Sequence, residues 1–99
     1  MIAVYYKVSA NIFGLAVYPN PCGNSATISY KLLTALDVSI IMTDLMGKEV
    51  AVIINAKQQT AGEYKVQLNT SAFGINSGIF LLSMKSGNSV IMKKLVIVK

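Results

Sequence analysis

The sequence predicts an all-β domain, a β-sandwich of about seven short strands. Apolar and polar side chains alternate along most of the chain, as in residues 26–32, whereas no segment of helix length shows helical periodicity. Candidate strands recur about every ten residues, a spacing that is typical of β-sandwiches. The chain of 99 residues suits a single domain, and its hydrophobic fraction of 54% is enough to form a packed core.

The strand pattern is carried by segments that are mostly separated by polar or glycine-containing connections. These segments are residues 15–18, 26–32, 38–43, 50–54, 64–69, 80–85 and 90–98. In the third segment the even-numbered residues are apolar and are expected to form the buried face. In the fourth segment, alternation predicts that Val50, Val52 and Ile54 share a face. The last segment is apolar on both faces except at its lysines, so its orientation is left open.

Two short connections predict β-hairpins. In Asp44-Leu45-Met46-Gly47, the Asp44 carboxylate can accept backbone N–H groups, and Gly47 can adopt the left-handed conformation that a bulged hairpin requires. The sequence Ser-Gly-Asn-Ser at residues 86–89 is the second hairpin signal.

The residue types present argue against catalysis and against a metal or cofactor site. The chain has no histidine, and Cys22 is its only cysteine, which excludes an intramolecular disulfide and the usual zinc and copper sites. Among the carboxylates, Asp44 and Glu49 flank one hairpin, where a turn cap and an exposed strand charge explain them better than an acid/base pair. No phosphate-binding glycine motif occurs. The sequence therefore predicts that the protein is not an enzyme.

The charge pattern argues against nucleic-acid recognition. The net charge of +5 comes entirely from lysine on the basic side, and arginine, which reads phosphate and guanine edges with its planar fork, is absent. Most lysines stand singly, as on solvated strand faces, and only Lys93, Lys94 and Lys99 cluster. No run approaches the roughly 18 consecutive apolar residues of a membrane span, so no integral membrane segment is expected.

Five short motifs follow one another along the chain. They are Pro19-Asn20-Pro21; Asp44, Gly47, Lys48 and Val50; Gly62 and Tyr64; Gly78 and Phe80; and Lys94, Val96, Val98 and Lys99. The two prolines predict a rigid elbow outside the sheets, because each lacks a backbone N–H and has a fixed φ. In this order the motifs resemble the C-terminal sorting domain of type IX (Por) secretion cargo, over residues 11–99. Phe80 stands where that family usually has tyrosine, and Ser83 where a basic residue is common.

The resemblance implies both a fold and a role. It implies an immunoglobulin-like or fibronectin-like sandwich that is a non-catalytic secretion signal. The implied partners are the outer-membrane machinery of the type IX secretion system and a sortase-like peptidase that cuts upstream of the domain. The protein would cross the periplasm of Bacteroidota-type bacteria and reach the cell surface or the medium.

The implied layout divides the chain near its N-terminal side. Residues 1–14 are expected to be a linker or the end of a preceding segment that contains the cut, and residues 15–99 to be the sorting domain. No N-terminal secretory signal is recognisable, because Lys7 interrupts the first apolar run. The chain is therefore expected to be the tail of a larger cargo protein.

Two further interpretations stay open. A fibronectin-like adhesion or carbohydrate-binding module is the alternative function, although Tyr30, Tyr64 and Phe80 fall on apolar faces and only tyrosines near the N-terminus, such as Tyr18, are expected to be exposed. The last strand is a candidate contact element that can pair with the edge of a partner's sheet, with its lysines facing an acidic surface. Equally, residues 95–98 can complete the core with the lysines in solvent.

Overall fold

The structure is a computed structural model that describes residues 12–86 and 89–99, apart from the side chain of Phe13. Within these ranges the chain forms seven β-strands and no helix. The strands are β1 (Ile12–Tyr18), β2 (Ser25–Leu32), β3 (Leu36–Thr43), β4 (Glu49–Gln59), β5 (Gly62–Asn69), β6 (Gly78–Ser86) and β7 (Ser89–Ile97).

The strands form two antiparallel sheets. One sheet has three strands in the order β1-β2-β5, and the other has four in the order β4-β3-β6-β7. Apolar side chains from both sheets form one core cluster, so each sheet buries one face against the other. The all-β sandwich of seven strands predicted from the sequence is confirmed.

Alternation places the core residues of β2 and β3. On β2 the side chains of Ala26, Ile28, Tyr30 and Leu32 are buried, and on β3 those of Val38, Ile40 and Met42 are fully buried as predicted. The intervening residues face outward, because successive side chains of a strand point to opposite faces. In these strands the period-two pattern of the sequence was sufficient to predict the buried face.

The predicted face of β4 is wrong. Thr43 pairs with Glu49 while Met42 pairs with Ala51, so Val50 is an extra residue opposite β3. This is the first of three register shifts between β3 and β4. The second is at Ile53, and the third lies near Ala56, which has a positive φ of 49°. Each bulge reverses the alternation, and Ala51 is therefore buried while Val52, expected to share a face with Val50 and Ile54, is exposed.

The structure also settles the ends of the sandwich. β1 begins at Ile12, ahead of the predicted strand at Leu15, and Ile12 is buried and pairs with Leu32. The division of the chain between residues 14 and 15 stays a prediction, as does the immunoglobulin-like classification of the sandwich. β7 points Leu95 and Ile97 into the core, which fixes the orientation that the sequence left open.

Candidate functional site

The antiparallel topology brings most of the motif segments to one end of the sandwich. Strands β1, β3, β5 and β7 finish at this end, and β2, β4 and β6 start there. We call it the motif end; its connecting segments are residues 19–24, 44–48, 70–77 and 98–99. Gly62 and Tyr64 do not join it, because Gly62 pairs with Leu32 at the opposite end.

The elbow at residues 19–22 is hydrogen-bonded to the outer edge of β7. The Asn20 carboxamide donates from Nδ2 to the carbonyl oxygen of Lys94 at 2.8 Å and accepts from the Val96 N–H at 3.0 Å. It thus supplies one donor and one acceptor, as the backbone of a neighbouring strand would. The prolines on either side have no N–H to contribute, which leaves this role to the asparagine side chain.

Cys22 continues the same contact through its backbone. Its N–H donates to Val96 O at 2.9 Å, and its carbonyl oxygen accepts from the Val98 N–H at 2.8 Å, forming a parallel bridge with Ile97. The outer edge of β7 is therefore covered from Lys94 to Val98. Strand addition by a partner along residues 95–98, which the sequence analysis left open, would have to displace the elbow.

Thr70 holds the two residues that follow the elbow, Gly23 and Asn24. Its side chain is fully buried; its N–H donates to Asn24 O and its hydroxyl to Gly23 O, each at 2.9 Å. Its own carbonyl oxygen accepts the Ile75 N–H at 3.0 Å. The sequence analysis missed Thr70, since a threonine that follows a strand carries no local signal of a partner 47 residues away.

The turn between β3 and β4 is built by Asp44. One carboxylate oxygen accepts the N–H groups of Met46 and Lys48, both at 2.9 Å, and the Asp44 backbone accepts from Gly47 N–H at 3.1 Å. Gly47 has a φ of +88°, so the left-handed conformation predicted for it is confirmed. The carboxylate acts as a turn cap, and the ordered turn carries Met46 with 94% of its surface exposed.

Gly62 and Tyr64 serve packing at the far end. Gly62 has a φ of +151°, which side chains rarely adopt. The Tyr64 ring stacks on Tyr30 with centroids 5.4 Å apart, and its hydroxyl donates to Thr60 O at 2.6 Å. The buried Tyr30 hydroxyl donates to Gln59 Oε1 at 2.6 Å, and burial raises the pKa of this phenol although the Gln59 hydrogen bond opposes the shift.

The pair Gly78 and Phe80 is explained by close contact. A Cβ atom at position 78 would lie 3.2 Å from Cε2 of the Phe80 ring, a spacing tighter than most real Cβ contacts. The ring is partly buried and packs against the core. Glycine at this position therefore makes room for the aromatic ring two residues further along β6.

Cys22 shows no sign of a reactive thiol. Its side chain is buried in the core, and burial raises its pKa, an effect that the charge of Lys99 opposes in part. The thiolate is the nucleophilic form, so a raised pKa lowers reactivity near neutral pH. In the described part of the chain, no three His, Cys, Asp or Glu residues come together as metal ligands.

The family model described as the secretion system C-terminal sorting domain matches residues 16–98. The chain belongs to this type IX secretion sorting-domain family. The resemblance drawn from the motifs is thus confirmed. Comparisons with curated proteins and with solved structures returned no significant match. Residues 12–86 and 89–99 contain no helix that is long and apolar enough to cross a membrane.

Within this sorting domain, the motif residues separate into two groups. The first group builds the fold and consists of Asn20, Asp44, Gly47, Gly62, Tyr64, Gly78 and Phe80. The second group is exposed at or near the motif end and consists of Pro19, Pro21, Lys48, Lys94, Val98 and Lys99, with Val96 half-buried beside them. That Lys94 and Lys99 meet an acidic surface of a partner stays a prediction.

Proposed function

We propose that this chain is a non-catalytic C-terminal secretion signal that directs an attached cargo across the outer membrane through the type IX system. The observation that carries the proposal is the set of hydrogen bonds that Asn20 and Cys22 of the elbow make along residues 94–98, which we call the clamp. Its hydrogen bonds join residues 74 and 76 positions apart, so the first and last motifs of the family form one surface only in the folded domain. The secretion machinery therefore binds the folded domain rather than a linear sequence motif.

The finer features of the proposal follow the family. The domain crosses the periplasm folded, and a sortase-like peptidase cuts upstream of it, within residues 1–14. The cargo is released or retained at the surface of a Bacteroidota-type bacterium. A rigid domain suits this role, because a partner that binds it loses little conformational entropy on association.

An export assay tests the proposal. Residues 1–99 are fused behind a Sec signal and a fluorescent reporter and expressed in a bacterium with an intact type IX system and in a translocon-deficient strain. We expect fluorescence at the surface or in the medium only in the intact strain, and mass spectrometry of the released reporter should locate the cut. Retention of a folded domain in the periplasm of both strains would refute the sorting role.

The described aromatic residues do not favour the alternative of an adhesion or carbohydrate-binding module. Tyr30 and Tyr64 stack on each other and bond to protein groups, so neither ring is a free platform for a sugar. Tyr18 and Phe73 are partly exposed, but they lie on separate segments of the chain. Tyr5 and Tyr6 lie outside the described residues.

A further inference from the structure

The outer faces of the two sheets differ in chemistry. The outer face of the three-stranded sheet carries polar side chains; they include Thr27, Ser29 and Lys31 of β2 and Lys65 and Gln67 of β5. This is the usual composition of an antiparallel sheet face that contacts water. The outer face of the four-stranded sheet instead carries a group of apolar side chains among its polar ones.

The strand register defines this apolar face. One row across the sheet runs Val52, Ile41, Ser83 and Met92, the next contains Leu81 beside Lys94, and a third pairs Ile79 with Val96. We use the term apolar face for Ile41, Val52, Ile79, Leu81, Met92 and Val96. Met92 is 57% exposed and Ile79 is 45% exposed, because both point away from the core. A contiguous apolar patch of this kind marks an interaction surface more often than a scattered exposed side chain does.

Positive charge borders the apolar face. Lys85 and Lys94 extend from its strands on this face, whereas Lys93 pairs with the buried Leu82 and so lies on the opposite face of β7. The sequence from residue 64 to residue 99 contains no acidic residue at all. Two carboxylates also lie on this outer face, Asp37 of β3 and Glu49 of β4, both on strands away from β7. The face thus combines an apolar centre with a cationic border on its β6–β7 side.

We propose that the apolar face docks a protein partner whose surface is flat and apolar and carries carboxylates at its border. Such a partner complements both features, because burial of the apolar centre favours association while opposite charges fix orientation and reject wrong partners. The proposal rests on the sorting function, since the partner would belong to the export machinery. It adds the surface and the chemistry of recognition, which the motifs do not reveal.

Two other occupants fit the face less well. A second copy carries the same net charge of +5, and this overall repulsion opposes the association of two copies. A lipid surface is usually approached with tryptophan or tyrosine at the membrane interface, and the apolar face as defined has neither. Both occupants give distinct outcomes in the test below.

The test compares matched substitutions on the two outer faces in the export fusion. Met92→Glu and Ile79→Glu alter the apolar face, whereas Thr27→Glu and Gln67→Glu place the same carboxylate on the polar face. All four positions point outward, so the urea midpoints of the purified domains should stay close to that of the unaltered domain. We expect export to fall at least about tenfold for the apolar-face variants, as for central residues of an interface, and to persist for the other two.

Charge reversal tests the border. Lys85→Glu, beside the apolar face, should reduce export, and Lys85→Gln should reduce it less. Lys65→Glu on the polar face is the control and should export normally. Equal export by Lys85→Glu and Lys65→Glu would overturn the proposed carboxylate border.

The remaining outcomes separate the two proposals. Failure of the unaltered domain to export refutes the sorting function and the docking partner with it. Normal export of folded Met92→Glu and Ile79→Glu overturns the docking proposal alone. A dimer in sedimentation that Met92→Glu abolishes would assign the face to self-association. Binding to phosphatidylglycerol–phosphatidylethanolamine vesicles that Met92→Glu abolishes would assign it to lipid. Either assignment overturns the proposal.

Discussion

Single residues explain why the family motifs have the composition they do. The Asn20 carboxamide hydrogen-bonds to β7 as the backbone of a neighbouring strand would. The Asp44 carboxylate accepts backbone N–H groups of the turn, and Gly47 adopts a positive φ that other residues avoid. None of these roles requires contact with another protein. These motif residues therefore act mainly by stabilising the fold, and recognition depends on the residues that the folded domain exposes.

Asn20→Ala should lower the free energy of unfolding by about 1–2 kcal/mol, because it removes two side-chain hydrogen bonds to β7. Urea denaturation of the purified domain measures the change. Asn76→Ala, at an exposed asparagine in the 70–77 connection, is the matched control and should change stability by less than about 0.5 kcal/mol. Equal effects of the two substitutions would contradict a clamp through the Asn20 side chain.

Gly47→Val should cost upwards of about 1 kcal/mol, because a β-branched residue resists a positive φ. The cost is conformational and not steric, since a Cβ atom at position 47 would meet no atom within 4 Å. Gly47→Asn should be tolerated better, because asparagine visits the left-handed region more readily. An unchanged urea midpoint for Gly47→Val would show that the turn adopts another conformation in solution.

At the scale of elements, β7 is an edge strand with two different halves. Its register with β6 is continuous, and the backbone groups of Val96 face the elbow. By alternation the N–H groups of Met92 and Lys94 also face away from β6, where no strand of the sheet lies. Among the described residues, a partner that adds a strand to β7 would therefore meet unpaired backbone groups only in the half before the clamp.

Hydrogen exchange should reveal these halves. We expect slow exchange for the Val96 and Val98 amides, which donate to the elbow, and fast exchange for Met92 and Lys94. Asn20→Ala should speed exchange at Val96 more than at Val98, because Val98 donates to the Cys22 backbone. Exchange at Val96 as fast as at Met92 in the unaltered domain would contradict the clamp.

The two roles of β7 also affect how its function is tested. Deletion of residues 94–99 should abolish export, but it also removes Leu95 and Ile97, which are almost completely buried. Loss of these side chains costs several kcal/mol in a typical core, so unfolding alone would stop export. Substitutions that keep the inward residues, such as Lys94→Gln with Lys99→Gln, separate recognition from folding.

At the scale of the whole molecule, the sandwich has one core and should unfold as one unit. Ile28 of the three-stranded sheet and Met84 of the four-stranded sheet belong to the same buried cluster. Neither sheet can separate without exposing the core side chains of the other to water. We expect the amide signals of Ile28 and Met84 in nuclear magnetic resonance spectra to disappear at the same urea concentration. Distinct midpoints would show that the sheets unfold separately.

The sequence by itself determined the family, the class of fold, the buried faces of β2 and β3, and the turn at Asp44 and Gly47. The buried faces and the turn depend on residues close together in the chain, whose alternation or turn chemistry is local, and the family follows from the order of short local motifs. The second hairpin was predicted at residues 86–89; Ser86 and Ser89 pair as expected, and residues 87–88 lie outside the described ranges.

Tertiary structure decided the clamp, the faces of β4 and β7, and the contrast between the outer sheet faces. The clamp joins residues more than 70 positions apart, a distance over which no periodic pattern carries information. The bulges of β4 reverse alternation without a compositional mark, because the extra residues are ordinary ones such as Val50 and Ile53. The last strand is apolar on both sides, so only packing against the other sheet could select which side became core and which became surface.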